Sequence, residues 1–441
     1  MSIMYYLIVF NIGMLLVNIG ILGLGTVGGG VVNVLNKNQK QIIRRSGNNI
    51  NVTHAAVRDI TQTRICPTKN IKLTQDPFQI VNNDDISVVL ELMGGVGLAK
   101  NLIEQAIKNG KHVVTANKAL IATYGNELLA LAKDYNTHLL FEAAVAGGIP
   151  ILKSLKDGLS ANQIELVAGI INGTSNFILT EMHNKDRNFQ DALKEAKALG
   201  YAEANPTFDV EGIDTAHKLA ILASMAFGCE LQFNQITTEG ISNISSEDIT
   251  YATKLGYTIK HIGIAKKLND KLQMHVRPTL VPTTHLLSNV NGVMNGILIK
   301  GNAVGETLYY GAGAGDEATA SSVIADLIDI IRNTANHDIF GWKSLINITK
   351  CNTNSIASIF YLRLLVTNKS GIVKDIKKTL ANYDINIEAI LQKKINQKND
   401  LHIALITNLT NNSKINKAVT DIQKYDYIID EIKIIFVETL N

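Results

Sequence analysis

The chain has 441 residues, which at roughly 150 residues per domain predicts about three domains and excludes peptide hormones, knottins and single modules. Its 42 Lys and Arg residues against 39 Asp and Glu give a net charge of +3, and the charged fraction of 18% is lower than the roughly 25% usual for a soluble chain. Because the positive charge is neither large nor clustered, the composition excludes the charge balance of a nucleic-acid-binding protein.

The chain begins with an uncharged run, and its first charged residue is Lys37. The stretch Ile3–Val17 is apolar like a signal peptide, but no basic residue precedes it and no small-x-small cleavage site comes before the glycines. It is also shorter than the roughly 20 residues of a membrane-spanning helix, unless the following NIGILGL is counted. We therefore expect an over-long gene start, with Met14 as the natural one, or an apolar extension, and no membrane anchor.

The cysteines indicate the compartment. Cys66, Cys229 and Cys351 form no CxxC pair and are too few for a disulfide framework. A reducing, cytoplasmic location is the expectation.

Short apolar runs alternate with helix-compatible stretches from Leu15 to Phe141, which predicts βαβ units around a parallel sheet. The predicted strands are LLVNIGIL, INVTHAAV, SVVLEL, HVVTAN and THLLFE. Between the third and fourth, the apolar residues of NLIEQAIKNG share one helical face, and Gly110 caps the helix end.

The motif GLGTVG follows the first predicted strand and opens a helix, as a dinucleotide-binding fingerprint requires. Gly23 permits the tight turn, Gly25 lets a pyrophosphate approach the backbone, and Gly28 lets helix and strand pack closely. The competing interpretation is a glycine-rich membrane helix, which predicts no βαβ units downstream.

The second predicted strand ends in Val57-Arg58-Asp59. An acidic residue there usually bonds the ribose 2′-hydroxyl, whereas an arginine accommodates a 2′-phosphate. Arg58 favours NADP, with NAD as the alternative. An alternative interpretation is that Arg58 and Asp59 are only a solvated surface pair, because Asp59 lies farther from the glycines than the usual spacing of about 20 residues.

The pattern changes to mixed strands and helices after Gly147 and up to about Gly305, which predicts an α+β domain. The glycine turn and long amphipathic helix of Gly311–Ile331 could return the chain to the nucleotide region. Asn333–Ser358 is polar and asparagine-rich, as in a linker. Beyond it, about 80 residues follow the order strand-helix-strand-strand-helix-strand of a ferredoxin-like module. The expected domains are residues 15–146 plus about 311–335, residues 147–310, and residues 357–441.

Two lysines stand out as chemical candidates. Lys118 lies just past the end of the fourth predicted strand, at the sheet edge where ligands bind. The interpretation that it is an ordinary surface lysine is equally compatible with this position. Asp214 and Lys218 are four residues apart at the start of an apolar helix, so they share one face. That pair is either a structural ion pair or a proton-transfer group, and the ion pair is the safer interpretation.

The remaining motifs are less specific. The segment FEAAVAGGIP is rich in backbone carbonyls at a bend, which a simple domain crossover also explains. The ten histidines form no HxH or HxxxH pair, which disfavours transition-metal chemistry. The sequence contains no GxSxG or Walker A motif.

The chain resembles the homoserine dehydrogenase family, in order and over roughly Asn18–Ala335, in the segments GLGTVG, ELMGG, GKHVVTANKAL, FEAAVAGGIP, NGTSN and, above all, ALGYAEANPTFDVEGIDTAHK. The third unit resembles the ACT domains that many bacterial members carry for amino-acid feedback. There Asn368-Lys-Ser-Gly371 stands where the family often has an acidic residue and a proline. No aspartate-kinase segment precedes the first glycine motif, so the likeness is to the monofunctional form.

The resemblance implies a Rossmann-type NAD(P)-binding domain, a homoserine-binding and dimerisation domain and an ACT regulatory domain. It implies interconversion of L-homoserine and L-aspartate 4-semialdehyde in threonine, methionine and isoleucine biosynthesis. A homodimer or homotetramer with threonine as effector is expected, without nucleic-acid or membrane partners. Two alternatives stay open: a related amino-acid dehydrogenase acting on another substrate, and a catalytically silent amino-acid sensor.

The resemblance also assigns residues. It makes Lys218 the proton donor and acceptor on the substrate oxygen, supported by the catalytic residues Asp214 and Lys118. Substrate binding is expected from Glu203, Asp214, Gly173 and Tyr201. Cofactor contacts are expected from Gly23, Gly25, Thr26, Val27, Gly28, Arg58, Thr115, Lys118 and Gly315. A monovalent cation such as sodium or potassium is expected at the main-chain oxygens of Glu142, Val145, Gly147 and Ile149.

The ordinary pKa of a lysine side chain indicates the direction of proton transfer. An unperturbed lysine has a pKa near 10.4, so only about one in a thousand is the free base at about pH 7.5, and a nearby carboxylate favours the charged form. We therefore expect Lys218 to donate its proton during aldehyde reduction, and homoserine oxidation to improve at alkaline pH.

Overall fold

The computed structural model describes residues 16–268, 270–332, 338, 340–351, 357–395 and 400–440. The strands are β1 (Leu16–Leu22), β2 (Asn49–Ala56), β3 (Lys72–Thr74), β4 (Val88–Glu91), β5 (His112–Thr115), β6 (Leu139–Leu140), β7 (Ile164–Ile170), β8 (Thr237–Thr238), β9 (Tyr257–Leu268), β10 (Lys271–Pro282), β11 (Met294–Gly301), β12 (Gly305–Ala312), β13 (Thr349–Lys350), β14 (Ala357–Thr367), β15 (Ile387–Lys394), β16 (Asp400–Thr407), β17 (Thr410–Asn411) and β18 (Lys433–Val437). The helices are α1 (Thr26–Lys37), α2 (Gln39–Ser46), α3 (Phe78–Val81), α4 (Gly97–Lys108), α5 (Lys118–Asp134), α6 (Ile151–Lys153), α7 (Gly173–Lys185), α8 (Phe189–Ala198), α9 (Thr207–Val210), α10 (Ile213–Phe227), α11 (Ser246–Lys254), α12 (Asp316–Ile331), α13 (Ile372–Ala381) and α14 (Asn412–Ile422).

The chain forms two compact units. The first draws on the described residues within 16–163, 220–234 and 309–347, and the second on those within 164–219, 235–308 and 348–440. The expected division into three domains stays a prediction. Among the described residues, no helix is both long and apolar enough to cross a membrane.

The first unit is built on a six-stranded parallel sheet in the order β3-β2-β1-β4-β5-β6. The strand order reverses between β1 and β4, as in a Rossmann-type sheet, where ligands bind beyond the carboxyl ends of the strands. The predicted βαβ units are therefore confirmed. The three-residue strand β3 was not predicted, because a strand of this length has no apolar pattern to read.

Helix α4 shows why these segments are helical. Its buried residues recur three and four positions apart and form one apolar stripe, namely Ala99, Leu102, Ile103, Ala106 and Ile107. Gly110 follows with φ +72°, so the chain leaves the helix in the left-handed conformation that glycine adopts without strain. Both the helical face and the cap agree with the sequence prediction.

Helix α12 packs against α1 in the first unit. Val323 and Leu327 of α12 lie in the same buried cluster as Val31 and Val34 of α1. The expected return of the Gly311–Ile331 segment to the nucleotide region is thus correct.

The second unit contains a twelve-stranded sheet whose main path is β12-β11-β7-β9-β10-β18-β14-β16-β15. Strands β9 and β10 pair antiparallel along their whole length, and β18 pairs parallel with β10, with Thr279 opposite Phe436. The C-terminal strands therefore continue the sheet that the preceding segment begins.

The C-terminal elements run β14-α13-β15-β16-α14-β18, apart from the two-residue strand β17. Their strands lie in the order β18-β14-β16-β15 with antiparallel pairing. This agrees with the predicted ferredoxin-like alternation. The uncharged opening up to Leu15 lies outside the described residues, as do residues 333–337, 339 and 352–356 of the predicted linker.

The packing of α1 on α12 generates a stability prediction. A Cβ on Gly30 would lie 2.5 Å from the Asp316 carbonyl oxygen, whereas a Cβ on Gly97 would meet no atom within 4 Å. Alanine gains about 1 kcal/mol of helix propensity over glycine, but forced overpacking costs about 1–3 kcal/mol. We expect Gly30→Ala to lower the free energy of unfolding, measured by urea denaturation, and Gly97→Ala to leave it unchanged or higher. Equal stability of the two variants would contradict the close contact.

Candidate functional site

The GLGTVG motif covers the turn between β1 and α1 and the start of α1, and its three glycines have different surroundings. Gly23 has φ +97°, and a Cβ on Gly28 would lie 2.2 Å from the Gly23 carbonyl oxygen, so helix and strand approach closely. A Cβ on Gly25 would meet no atom within 4 Å. The first turn of α1, which includes Thr26 and Val27, contains no acidic residue. The space in front of Gly25 and the N–H groups of that turn therefore fit a phosphate group.

A cavity of about 500 Å³ opens beside this turn and is lined by Gly23, Gly25, Arg58 and Arg64 among others. No carboxylate is among its lining residues in the described part of the chain. The Asp59 carboxylate instead accepts hydrogen bonds from the Thr61 hydroxyl and N–H at 2.7 and 2.8 Å, which lower the pKa of Asp59. Two guanidinium groups without a lining carboxylate favour an anionic ligand group here.

A second polar network lies at the carboxyl ends of β4 and β5. Thr115 is fully buried, and its hydroxyl donates to Glu91 Oε2 at 2.6 Å. Burial raises the pKa of Glu91. Asn117 accepts the Leu120 N–H and donates to the Gly95 carbonyl oxygen at 2.6 Å. These bonds fix the start of α5, whose first residue is the partly exposed Lys118.

The carbonyl-rich loop after β6 has a strained backbone. Ala146 and Gly147 have φ +52° and +34°, and a Cβ on Gly147 would lie 2.7 Å from the Gly313 carbonyl oxygen. The Gly147 carbonyl accepts the Ser322 hydroxyl at 2.6 Å, and the Ile149 carbonyl accepts the Ile151 N–H at 2.8 Å. Each carbonyl oxygen has two lone pairs, so these bonds leave acceptor capacity for a hard cation.

Buried carboxylates hold the same loop. The Glu142 carboxylate accepts the backbone N–H groups of Leu152 and Lys153 at 2.9 and 2.8 Å, and the Glu142 N–H donates to Asp326 Oδ2 at 2.8 Å. Burial raises the pKa of Glu142 to about 8 and that of Asp326 to about 6. Lys153 Nζ lies 3.5 Å from Asp326 and 2.6 Å from Asp329, which partly balances the negative charge.

In the second unit, Lys218 lies in a buried polar cluster at the start of α10. Lys218 Nζ donates to Asp214 Oδ2 at 2.6 Å and to the Ile171 carbonyl oxygen at 2.7 Å. The Asn172 amide donates to Asp214 at 2.9 Å and to Asp209 at 2.8 Å. Asp214 is 3% exposed and Lys218 9%, so the charges are nearly withdrawn from water. An ammonium fixed this way can supply a proton to a neighbouring oxygen and take it back.

Of the other expected substrate residues, Gly173 and Tyr201 lie at the same turn. Gly173 begins α7, where a Cβ would lie 2.8 Å from the Val293 carbonyl oxygen. The Thr174 hydroxyl donates to the Tyr201 carbonyl at 2.5 Å. Glu203 is exposed, and its carboxylate makes no hydrogen bond within the described residues.

The structure brings some of the expected residues together and leaves others apart. In the second unit, Gly173, Tyr201, Asp214 and Lys218 gather around residues 171–174. In the first unit, the expected cofactor residues lie at three locations. The group at the β1–α1 turn and the end of β2 consists of Gly23, Gly25, Thr26, Val27, Gly28 and Arg58. Thr115 and Lys118 lie at the end of β5, and the exposed Gly315 precedes α12 with φ +127°.

Sequence reasoning missed four polar residues of these sites, namely Arg64, Glu91, Asn172 and Asp209. Three of them lie inside motifs that it had singled out, so those motifs held the signal. Arg64 lies in an irregular segment after β2 and had no such signal.

Comparisons with known proteins agree with this geometry. The family model described as "Homoserine dehydrogenase, NAD binding domain" matches residues 23–142, and the one described as "Homoserine dehydrogenase" matches residues 150–328. A homoserine dehydrogenase from Pseudomonas aeruginosa is 48% identical over 96% of this chain and 99% of its own length. One from Neisseria gonorrhoeae is 46% identical with the same coverage of 96% and 99%.

Solved structures give the same result. The crystal structure of a homoserine dehydrogenase from Thiobacillus denitrificans matches with a TM-score of 0.92 at 47% identity, over 97% of this chain and 100% of that one. A hyperthermophilic archaeal homoserine dehydrogenase in complex with NADPH matches with a TM-score of 0.61 at 26% identity, over 73% and 99% of the two chains. Both family models and relatives along nearly the whole chain point the same way, and this chain therefore belongs to the homoserine dehydrogenase family, which interconverts L-homoserine and L-aspartate 4-semialdehyde with a nicotinamide cofactor.

Proposed function

We propose that Lys218 is the proton donor and acceptor of this homoserine dehydrogenase. The observation that carries the proposal is the buried contact of 2.6 Å between Lys218 Nζ and Asp214 Oδ2, reinforced by the Ile171 carbonyl. The bound nicotinamide supplies or accepts the hydride at substrate C4. During reduction of the semialdehyde, Lys218 gives its proton to the carbonyl oxygen, which becomes the hydroxyl of homoserine. During oxidation, the neutral amine takes that proton back.

The substrate's ammonium group is bound by carboxylates in this proposal. Asp214 and Glu203 attract it, while Gly173 and Tyr201 shape the site. Asn172 acts as a positioning residue, because its amide donates to both Asp214 and Asp209 and so fixes the carboxylate that holds Lys218. Lys118 acts beside the nicotinamide, on the turn that Thr115 and Asn117 stabilise.

Replacing Lys218 tests the proton-transfer role. We expect Lys218→Ala to lower kcat for semialdehyde reduction by about 10²–10⁴-fold, the usual contribution of general acid–base catalysis, and to keep the affinity for NADPH. Lys254→Ala changes an exposed lysine of the second unit and serves as the control. In the unmodified enzyme, kcat for homoserine oxidation should rise from pH 7 to pH 9, because the neutral amine is the base. If homoserine oxidation were fastest near pH 6, or if the Lys218→Ala variant kept full turnover, the assignment of Lys218 as the proton donor and acceptor would be wrong.

NADP is the preferred cofactor in this proposal. Arg58 and Arg64 line the cavity beside the phosphate-binding turn, and Asp59 is not among its lining residues in the described part of the chain. A 2′-phosphate would therefore meet positive charge and no lining carboxylate.

Steady-state kinetics with both cofactors test this preference. A charge-assisted hydrogen bond is worth about 1.5–3 kcal/mol, so Arg58→Ala and Arg64→Ala should each raise KM for NADPH by roughly 10–100-fold and change KM for NADH much less. Arg44→Ala, which removes an exposed arginine from α2, should change neither value. An equal loss with both cofactors would contradict recognition of a 2′-phosphate.

The main-chain oxygens of Glu142, Val145, Gly147 and Ile149 form the proposed site for sodium or potassium. The support is the donor type together with a loop conformation fixed by Ser322 and by the buried Glu142 carboxylate.

Cation replacement tests the site. We expect kcat/KM to fall several-fold when choline replaces sodium and potassium at constant chloride concentration, and to recover when potassium is added. Gly147→Ala should lose this response, because its Cβ would lie 2.7 Å from the Gly313 carbonyl oxygen. Gly158→Ala, whose Cβ would meet no atom within 4 Å, should keep it. Identical activity in choline and potassium would refute the cation site.

The C-terminal elements act as an ACT regulatory domain that responds to threonine in this proposal. The ferredoxin-like strand order and the sequence resemblance support it. Strand β15 ends the sheet path and exposes 40% of Ile390, which supports pairing between chains by sheet extension in a homodimer or homotetramer.

A further inference from the structure

A small cavity in the second unit lies where β8 and β10 meet the C-terminal elements. Its volume is about 150 Å³, and its lining includes Glu239, His275, Arg277, Ser358, Asn412 and Phe436. At about 30 Å³ for each liquid water, this space equals that of about five water molecules, which suits a small ligand. The cavity is separate from the Lys218 cluster and belongs to none of the sites assigned above.

Arg277 supplies a positive charge to this cavity. Its guanidinium lies 3.1 Å from the centre of the Phe436 ring, and its Nε has no hydrogen-bond partner within the described residues. Two carboxylates act on it electrostatically, Glu239 and Glu438, and Glu438 is 3.9 Å away, beyond hydrogen-bond distance. A buried guanidinium normally has its N–H groups bonded, so this one has capacity to bind a ligand carboxylate.

His275 adds a buried donor beside it. The residue is 3% exposed, and its Nε2 has no hydrogen-bond partner within the described part of the chain. Burial lowers the pKa of His275 well below its usual value, so the ring is neutral. The Gln273 amide lies 3.4 Å from Nδ1 and can donate to it, which assigns the proton to Nε2. Nε2–H is then an unused donor in a residue that lines the cavity.

The start of α14 also favours a negatively charged group in the cavity. Asn412 is the first residue of this eleven-residue helix, and the N-cap side chain of Asn411 accepts only the Lys414 N–H. The first N–H groups of a helix lack partners within the helix and favour a negative group. Glu239 differs from the other polar groups, because it brings a carboxylate to the cavity and is exposed to solvent. The cavity therefore combines sites for an anion with one site for a cation.

We propose that this cavity binds a small α-amino acid, with its carboxylate at Arg277, His275 and the start of α14 and its ammonium group at Glu239. The inference rests on the proposed amino-acid regulation and gives that regulation a location. A zwitterion satisfies both charges at once, which a simple anion does not.

The chain also connects this cavity to the catalytic lysine. The Glu239 carbonyl accepts His261 Nε2 at 2.9 Å, and the Ile241 N–H donates to the Val210 carbonyl at 2.9 Å. The Ser242 hydroxyl donates to Glu211 at 2.6 Å. Residues 239–242 are thus bonded to the turn that leads directly into α10, which carries Asp214 and Lys218. An amino acid that draws Glu239 towards the cavity would act on that turn.

Charge reversal at the helix start tests the location. Asn412→Asp places a carboxylate where the ligand carboxylate would lie, and Asn416→Asp places the same charge on an exposed position one turn further along α14. The full-length enzyme with NADPH and saturating homoserine would be titrated by calorimetry with threonine and then with each other standard amino acid. We expect at least one amino acid, threonine first, to bind the unmodified enzyme and the Asn416→Asp variant equally, and to bind Asn412→Asp at least about tenfold more weakly. Glu239→Gln should weaken binding as well.

The outcomes separate the site from the regulation. The site is wrong if no amino acid binds, or if Asn412→Asp and Asn416→Asp bind it with equal affinity. If an amino acid inhibits turnover and Asn412→Asp leaves inhibition unchanged, feedback regulation stands and this location fails. Binding that Asn412→Asp weakens, without any effect on rate, would support the site and contradict the regulatory function.

Discussion

Burial of one ammonium group organises the second unit. Lys218 lies at the start of a helix whose later turns are buried and apolar, so an unpaired charge there would cost several kcal/mol. Asp214, one turn earlier, and the Ile171 carbonyl balance that charge. Asn172 in turn satisfies Asp214 and ties it to Asp209. Because each group needs the next, the start of α7 and the turn between α9 and α10 have little freedom. These hydrogen bonds fix the position of the Lys218 ammonium group.

The first unit depends on a different constraint, the close approach of backbone segments. Gly28, Gly30 and Gly147 each lie where a Cβ would come within 2.7 Å of a carbonyl oxygen. At these positions the β1–α1 turn, helix α12 and the carbonyl-rich loop approach their neighbours more closely than a residue with a Cβ would allow. Buried carboxylates reinforce the arrangement, because Asp326 accepts the Glu142 N–H from 184 residues away and Glu142 in turn accepts the N–H groups of Leu152 and Lys153. The result is a set of fixed N–H and C=O groups, which suits ligands that carry charge.

The sequence was informative wherever the deciding contacts are local. The apolar stripe of α4, the pairing of Asp214 with Lys218, the tight turn at Gly23 and the close packing at Gly28 all follow from spacings of a few residues, and the structure agrees with each. Arg64 could not be anticipated, because it lies in an irregular segment and its relation to the phosphate-binding turn comes only from folding. Asp59 shows the opposite case, since its position suggests a ribose ligand but it is not among the described residues that line the cavity.

By itself, the sequence determined the alternation of strands and helices, the dinucleotide fingerprint and the family resemblance, because periodicity and short motifs are properties of neighbouring residues. Only the tertiary structure decided which polar groups meet. Asn172 and Asp214 are 42 positions apart, and Glu142 and Asp326 are 184 apart, so no local pattern encodes their contact. The pairing of β18 with β10 likewise joins the C-terminal elements to a sheet begun far earlier in the chain. The cavity at Arg277 is another example, since Asn412 and Phe436 in its lining come more than a hundred residues after Arg277.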